Sequence, residues 1–310
     1  MDKYKYIFGP VPSRRLGFSL GIDLVPFKTC SYNCIYCECG KTTNLSIERK
    51  SYINKEEALN ELKLFLEKKI ELNYITFSGG GEPTLSIDIE FFINEIKKMC
   101  EIPVCVLTNG SLLFLKEVRK SILNADVVIP SLDAVSIDIF QKINRPHKEL
   151  KIEKIIEGLI EFRKEYKGKY ILEILFVKGI NDSEEEVKKI AEITEKIRPD
   201  KIQLNTMVRP GTEKNLTPLT EIELNNKIKY FNRPVEIISH FKREIKSGIN
   251  KNEIISIIER RPCTINDLIK LTNQKKLEIE KMMYLLKEEG NKIKEINKDG
   301  EVYYFIEKEE

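Results

Sequence analysis

Short apolar runs alternate with amphipathic helical stretches over most of the chain, and no other feature narrows the possible folds as much. Strand-like runs stand at 19–25, 73–78 (NYITFS), 103–107 (PVCVL), 127–132 (VVIPSL), 170–177 (YILEILFV) and 201–206 (KIQLNT). Helical periodicity fills 54–69, 88–99, 114–124, 151–165, 183–197 and 218–231. Parallel neighbours can be joined only by a long crossover, which a helix supplies, so this alternation predicts an α/β fold with a largely parallel sheet. Local chemistry agrees. Asn54 stands three residues before Glu57 as a capping pair, and Leu59, Leu62 and Leu66 recur on one helical face that the core should cover.

The pattern changes after residue 245. Helical stretches at 252–260, 264–272 and 276–290 are followed by a hairpin at 292–307 with Asp299-Gly300 at its turn, an order that resembles a winged helix. The chain therefore divides into residues 1–245 and 246–310. Met282, Met283, Leu285 and Leu286 are expected in the core of the smaller part. Residues 250–310 carry 12 Lys and Arg against 13 Asp and Glu. DNA binding draws much of its affinity from neutralised phosphates, so this part is read as a substrate-recognition or protein-docking element, with DNA not expected as a partner.

Seven cysteines occur in the chain, and four fall within "KTCSYNCIYCECG" at 28–40. Disulfides belong to secreted proteins, and the start, MDKYKYIFGP, lacks the apolar stretch of a secretory signal. A cytoplasmic location is expected, and no apolar run is long enough to predict a membrane span. A structural zinc site takes four ligands in two spaced pairs. Cys37-Glu38-Cys39 is cramped as a pair, and the two histidines, His147 and His240, lie far along the chain. Three thiolates at C-x3-C-x2-C suit an iron–sulfur cluster better, with a fourth iron left open.

That spacing over Cys30, Cys34 and Cys37, with Tyr36 before the last cysteine, resembles the signature of the radical S-adenosylmethionine (SAM) superfamily. The resemblance implies a partial (βα)6 barrel in which the three cysteines hold a [4Fe–4S] cluster. SAM chelates the open iron, and reductive cleavage gives methionine and a 5'-deoxyadenosyl radical that abstracts hydrogen. The glycine run in "TFSGGGEPTL" (76–85) follows the second strand-like run. It resembles the superfamily's GGE motif, which implies that Gly80, Gly81 and Glu82 hold the SAM amino group. Tyr36 is implied near the adenine. Ser131 and Asp133, after the fourth strand, match positions that bind the SAM ribose and carboxylate. Thr108, Asn109, Gln203, Asn205 and Arg209 are expected to line the barrel mouth or to serve as turn and cap residues. Arg14 and Arg15 are read as solvated loop residues, and Cys39, Cys100, Cys105 and Cys263 as buried or free thiols.

"FGPVPSRRLGFSLGIDLVPFKTCSYNCIYCECG" resembles a branch of uncharacterised proteins grouped with the wyosine-forming tRNA-modifying enzymes. Those enzymes carry further cysteines upstream for a second cluster, and here none precedes Cys30. The shared radical chemistry is implied, with RNA as one substrate class. The alternatives are a peptide- or protein-modifying radical enzyme and a non-catalytic iron–sulfur regulator. Ferredoxin or flavodoxin is the electron donor that the resemblance implies.

Overall fold

The computed structural model describes residues 4–13, 15–238, 251–272, 274–298 and 300–306. Arg14, His240, the boundary at 245/246 and Asp299 of the expected hairpin turn lie outside the described residues.

One eight-stranded sheet organises the larger part, in the order β1-β2-β5-β6-β7-β8-β9-β10. Six of these strands meet the sequence expectation: β2 (Gly17–Ile22), β5 (Tyr74–Phe77), β6 (Val104–Thr108), β7 (Val127–Pro130), β8 (Lys169–Phe176) and β9 (Lys201–Thr206). All six run parallel. Crossovers are made by α1 (Lys55–Leu66), α2 (Ile89–Met99), α3 (Lys116–Ser121), α4 (Ile137–Ile143), α5 (Ile152–Glu165) and α6 (Glu184–Ile197). The expected cap holds, since the Asn54 side chain accepts from the Glu57 amide at the start of α1. Leu62 is buried as expected, while Ala58 and Phe65 complete the buried face of that helix.

Further elements add to the expected pattern. β1 (Ile7–Ser13) pairs antiparallel with β2, β10 (Val235–Ile237) extends the far edge beyond α7 (Glu221–Ile228), and α4 precedes α5. β1 reads poorly from sequence because Gly9, Pro10 and Pro12 interrupt its apolar pattern.

The sheet is strongly curled. Arg15, just before β2, donates from Nη1 to Glu173 Oε2 in β8 at 2.6 Å. Those strands stand four places apart, which in a flat sheet would be roughly 19 Å. Arg15 is thus an interior ion-pair residue and not a solvated loop cation. Leu16, Cys105, Val127, Ile129 and Ile171 meet in one buried cluster within the curl. The resulting architecture is an α/β barrel of parallel strands, open between β1 and β10, with the loops after each strand gathered at one end.

The C-terminal part comprises α8 (Lys251–Ile258), α9 (Ile265–Thr272), α10 (Lys276–Glu288) and a small antiparallel sheet of β11 (Cys263–Thr264), β13 (Glu301–Ile306) and β12 (Ile293–Lys298). Of the four expected core side chains, Met283 and Leu286 are buried, Met282 is partly buried, and Leu285 is 51% exposed. Helical geometry explains the difference, since adjacent residues point about 100° apart and Leu285 falls beyond the face shared by 283 and 286.

This module is built onto the barrel. Phe8, Val11 and Phe18 of the β1–β2 hairpin pack in one buried cluster with Ile254, Ile257, Leu268, Ile279 and Met283. The two parts expected on either side of 245/246 therefore share a core. Phe18→Ala should lower the unfolding free energy by about 3–5 kcal/mol, the usual cost of emptying a buried phenylalanine site. Urea denaturation measures this, and a loss below about 1 kcal/mol would mean the shared core is not tightly packed.

Candidate iron–sulfur and SAM site

β2 ends at Ile22, and the chain passes through Asp23 to the short strand β3 (Thr29–Cys30), which pairs in parallel with β4 (Asn44–Leu45). The cysteine loop lies between β3 and β4 at the C-terminal end of the parallel strands. Two turn hydrogen bonds shape it, the Cys37 amide donating to Cys34 O at 3.2 Å and the Gly40 amide to Cys37 O at 2.9 Å.

The glycine loop after β5 is laced to this segment through backbone atoms. The Lys28 amide donates to Gly80 O at 2.7 Å, and the Glu82 amide to Thr29 O at 3.1 Å. Such contact needs residue 81 to have no side chain, since a Cβ there would stand 2.1 Å from Thr29 O. Residue 79 adopts φ 134°, and a Cβ there would meet the Asp23 carboxylate at 1.6 Å.

Each cluster-type cysteine sulfur meets a donor. The Tyr32 amide and Asn109 Nδ2 approach Cys30 Sγ at 3.5 and 3.6 Å. Asn144 Nδ2 reaches Cys34 Sγ at 3.5 Å. Cys37 lies beside the Cys39 thiol, whose hydrogen bond, with help from the Lys28 charge, lowers the Cys37 pKa to about 7. Burial pushes Cys30 up to about 12 and raises Cys34. Burial thus favours the protonated thiol at both positions, and ligating a metal–sulfur group would release those protons. Cys39 is not part of the triad. Its Sγ lies 3.4 Å from Arg260 O and 3.6 Å from Gly79 O, alternative acceptors for its single proton.

Glu82 is a frame residue. It is buried, and it accepts from the Thr84 amide and hydroxyl, the Thr108 hydroxyl and the Asn109 amide at 2.6–3.0 Å. Burial nevertheless raises its pKa above the usual carboxylate value. One carboxylate thus pins the glycine loop to the end of β6, where Asn109 faces Cys30.

Tyr36, Ser131 and Asp133 come together in a pocket that also contains Asn109 and Asn144. Asp133 accepts from the Tyr36 hydroxyl, from Asn144 Nδ2 at 2.9 Å and from the Leu175 amide at 2.9 Å. Burial raises its pKa to about 6 despite these donors. Asn144 therefore bridges the Cys34 sulfur and the pocket carboxylate, a role that nothing in "KINRP" announces.

Other expectations are redistributed. Gln203 lies within β9 and donates to Glu236 at 3.2 Å, and Asn205 donates to Glu173 at 2.8 Å. Arg209 is buried between Glu38 of the cysteine loop and Asp267 of α9, at 3.4 and 3.5 Å. A second link joins the same parts: Arg260 Nε donates to Asp23 Oδ2 at 2.7 Å, while Asp23 Oδ1 accepts from the Gly80 amide at 3.2 Å.

These residues fit a sulfur-ligated iron cluster. Amide donors aimed at Cys30 and Cys34 suit anionic sulfur, and a buried Lys28 ammonium lies close enough for its charge to act on Cys37, Cys39 and Cys30. Among the described residues no three His, Cys, Asp or Glu side chains converge as one mononuclear ion would require.

Comparison with known proteins places this geometry in a family. The radical SAM superfamily model matches residues 24–192. A protein of Brachyspira hyodysenteriae called GTPase Obg is 42% identical over 310 residues, covering 98% of this chain but only 45% of that longer protein. A UPF0026 protein of Methanocaldococcus jannaschii is 38% identical over 313 residues, covering 96% of this chain and 94% of its own. The structure of TYW1 with a lysine-pyruvate adduct bound shares the fold at TM-score 0.54 and 22% identity, over 72% of this chain and 74% of that one. A family model spanning more than half of the chain and a nearly full-length UPF0026 relative show that this protein belongs to the radical SAM superfamily.

Proposed function

We propose that this chain reductively cleaves S-adenosylmethionine and uses the 5'-deoxyadenosyl radical to abstract hydrogen from a substrate in the barrel. The observation that carries this reading is the ring of donors around Cys30, Cys34 and Cys37, set directly against the glycine loop. The three cysteines would hold a [4Fe–4S] cluster, which when bound would supply one electron to the sulfonium of S-adenosylmethionine.

The chain's own groups do the rest. The loop at Gly80 and Gly81 would lie against the methionine amino group, and Glu82 holds that loop in place by accepting four hydrogen bonds from its surroundings. Tyr36, Ser131, Asp133 and Asn144 form a polar wall beside Cys34 that suits the adenosine part of SAM. Leu16, Cys105, Val127, Ile129 and Ile171 close the bore below, excluding water that would otherwise reach a primary radical.

The cysteine-loop resemblance makes RNA the first substrate class to test, with peptides second. The C-terminal module, packed against the cysteine loop through Arg209 and Arg260, is positioned to grip such a substrate or to dock a ferredoxin or flavodoxin.

Anaerobic reconstitution should give about four irons per chain, and dithionite with SAM should give 5'-deoxyadenosine. Cys34→Ala should lose both the visible cluster absorbance and SAM cleavage, and a variant that still cleaves SAM would sink the assignment. A parent protein that holds the cluster yet never cleaves SAM would favour the regulator reading. Glu82→Ala should retain iron but bind SAM more weakly, and should lose about 2–4 kcal/mol of stability because its buried donors are left unpaired. Weaker SAM binding with unchanged stability would assign Glu82 to the ligand and not to the loop.

A further inference from the structure

Lys28 combines two unfavourable features at one position. Its side chain is buried, 8% exposed, and its ammonium has no hydrogen-bond partner among the described residues. Its backbone adopts φ 68°, a left-handed conformation that costs a non-glycine residue roughly 1–2 kcal/mol. The nearest compensation is the Phe27 ring, with Nζ 5.3 Å from its centroid. A cation–π contact contributes about 0.5–2 kcal/mol, less than the several kcal/mol lost when an ion is buried unpaired. Glycine would take the same φ without strain, so the position holds a lysine against both backbone and solvation preference. Strain kept in this way points to a task for the side chain.

The direction of the side chain indicates the task. Nζ stands 3.1 Å from where a Cβ would lie on Gly40, at the far end of the cysteine loop. Its charge acts on Cys37, Cys39 and Cys30, in that order. Cys30 and Cys34 each receive a side-chain amide donor, from Asn109 and Asn144, whereas Cys37 is met only by the thiol and backbone amide of Cys39 and by the Lys28 charge. Lys28 is the cation whose charge bears on that side of the loop.

We propose that Lys28 is the charge-compensating residue of the iron–sulfur cluster, donating its ammonium to the Cys37 sulfur or an adjacent cluster sulfide and thereby favouring the reduced state. This rests on the cluster assignment made above. One-electron reduction, with the electron supplied by a low-potential carrier or by dithionite, adds one negative charge beside the ammonium. Reduction potentials of such clusters follow net charge and hydrogen bonding to sulfur. An ammonium held here makes that electron easier to add, and its own burial is relieved in return.

The test is an anaerobic redox titration of the reconstituted protein without SAM, followed by the spin-resonance signal of the reduced cluster. Lys28→Met, which keeps the side-chain bulk, should load iron as the parent does. Its equilibrium constant for reduction should fall at least tenfold, a shift of about 59 mV to more negative potential for a one-electron couple. Lys28→Gly should shift the same way while relieving the backbone strain, and Lys28→Arg should stay near the parent. Loss of iron in both neutral variants but not in Lys28→Arg would also support the proposal, since charge would then be needed for retention. Neutral variants with full iron and an unchanged midpoint overturn it, as does loss of iron in all three. A parent that takes up no iron overturns the cluster assignment itself, which is a separate outcome.

Discussion

The pair of backbone hydrogen bonds between the cysteine loop and the glycine loop is the contact on which the rest of the site depends. Lys28 N to Gly80 O and Glu82 N to Thr29 O fix two irregular segments against each other without using a side chain. Backbone pairing demands that the chains approach closely, and Gly81 allows this because any Cβ would collide with Thr29 O. Once the loops are registered, Glu82 carries the same constraint to β6, placing Asn109 opposite Cys30. Asn144 does the equivalent on the other side, tying Cys34 to Asp133. Loops that carry chemistry are ordinarily the mobile part of a scaffold, and these are held from three directions.

The C-terminal module continues this bracing. Its apolar face completes the core over the β1–β2 hairpin, and its polar face reaches the cysteine loop from behind. Arg260 joins Asp23, which in turn accepts from Gly80, so a residue far along the sequence is linked to the glycine loop through a single carboxylate and two hydrogen bonds. Both Arg209 and Arg260 are largely withdrawn from water. Buried pairs of this kind contribute little net stability, because desolvation offsets attraction, but they are costly to break and so favour one docking geometry. Anything that moves the module must therefore also move the cysteine loop.

Much of this was legible in the sequence, for identifiable reasons. The six parallel strands announce themselves because strands buried on both faces read as continuous apolar runs, and the cysteine triad because its ligand spacing is local. Leu285 and Leu286 show the limit of composition: two adjacent leucines in one amphipathic helix end up on opposite sides of the burial boundary. β1 was hidden by its prolines and glycine. The donors to the sulfurs were hidden for another reason, since Asn109 and Asn144 come from different crossovers and meet the thiols only when the sheet curls. Arg15 was misread for the same cause, as its partner Glu173 is adjacent only across the barrel. Lys28 sits two residues before Cys30, yet its burial and its positive φ are facts of three dimensions.

The site concentrates groups that a stable core would avoid. Glu82, Asp133 and Lys28 are all buried, and desolvation opposes the charged form of each. The two carboxylates differ from the lysine in one respect: each accepts several hydrogen bonds from neighbours, whereas the ammonium donates to none of the described residues. A polypeptide alone can thus satisfy the anions of this site but not its cation. A group bearing negative charge on sulfur, seated on Cys30, Cys34 and Cys37, is the complement that would balance it.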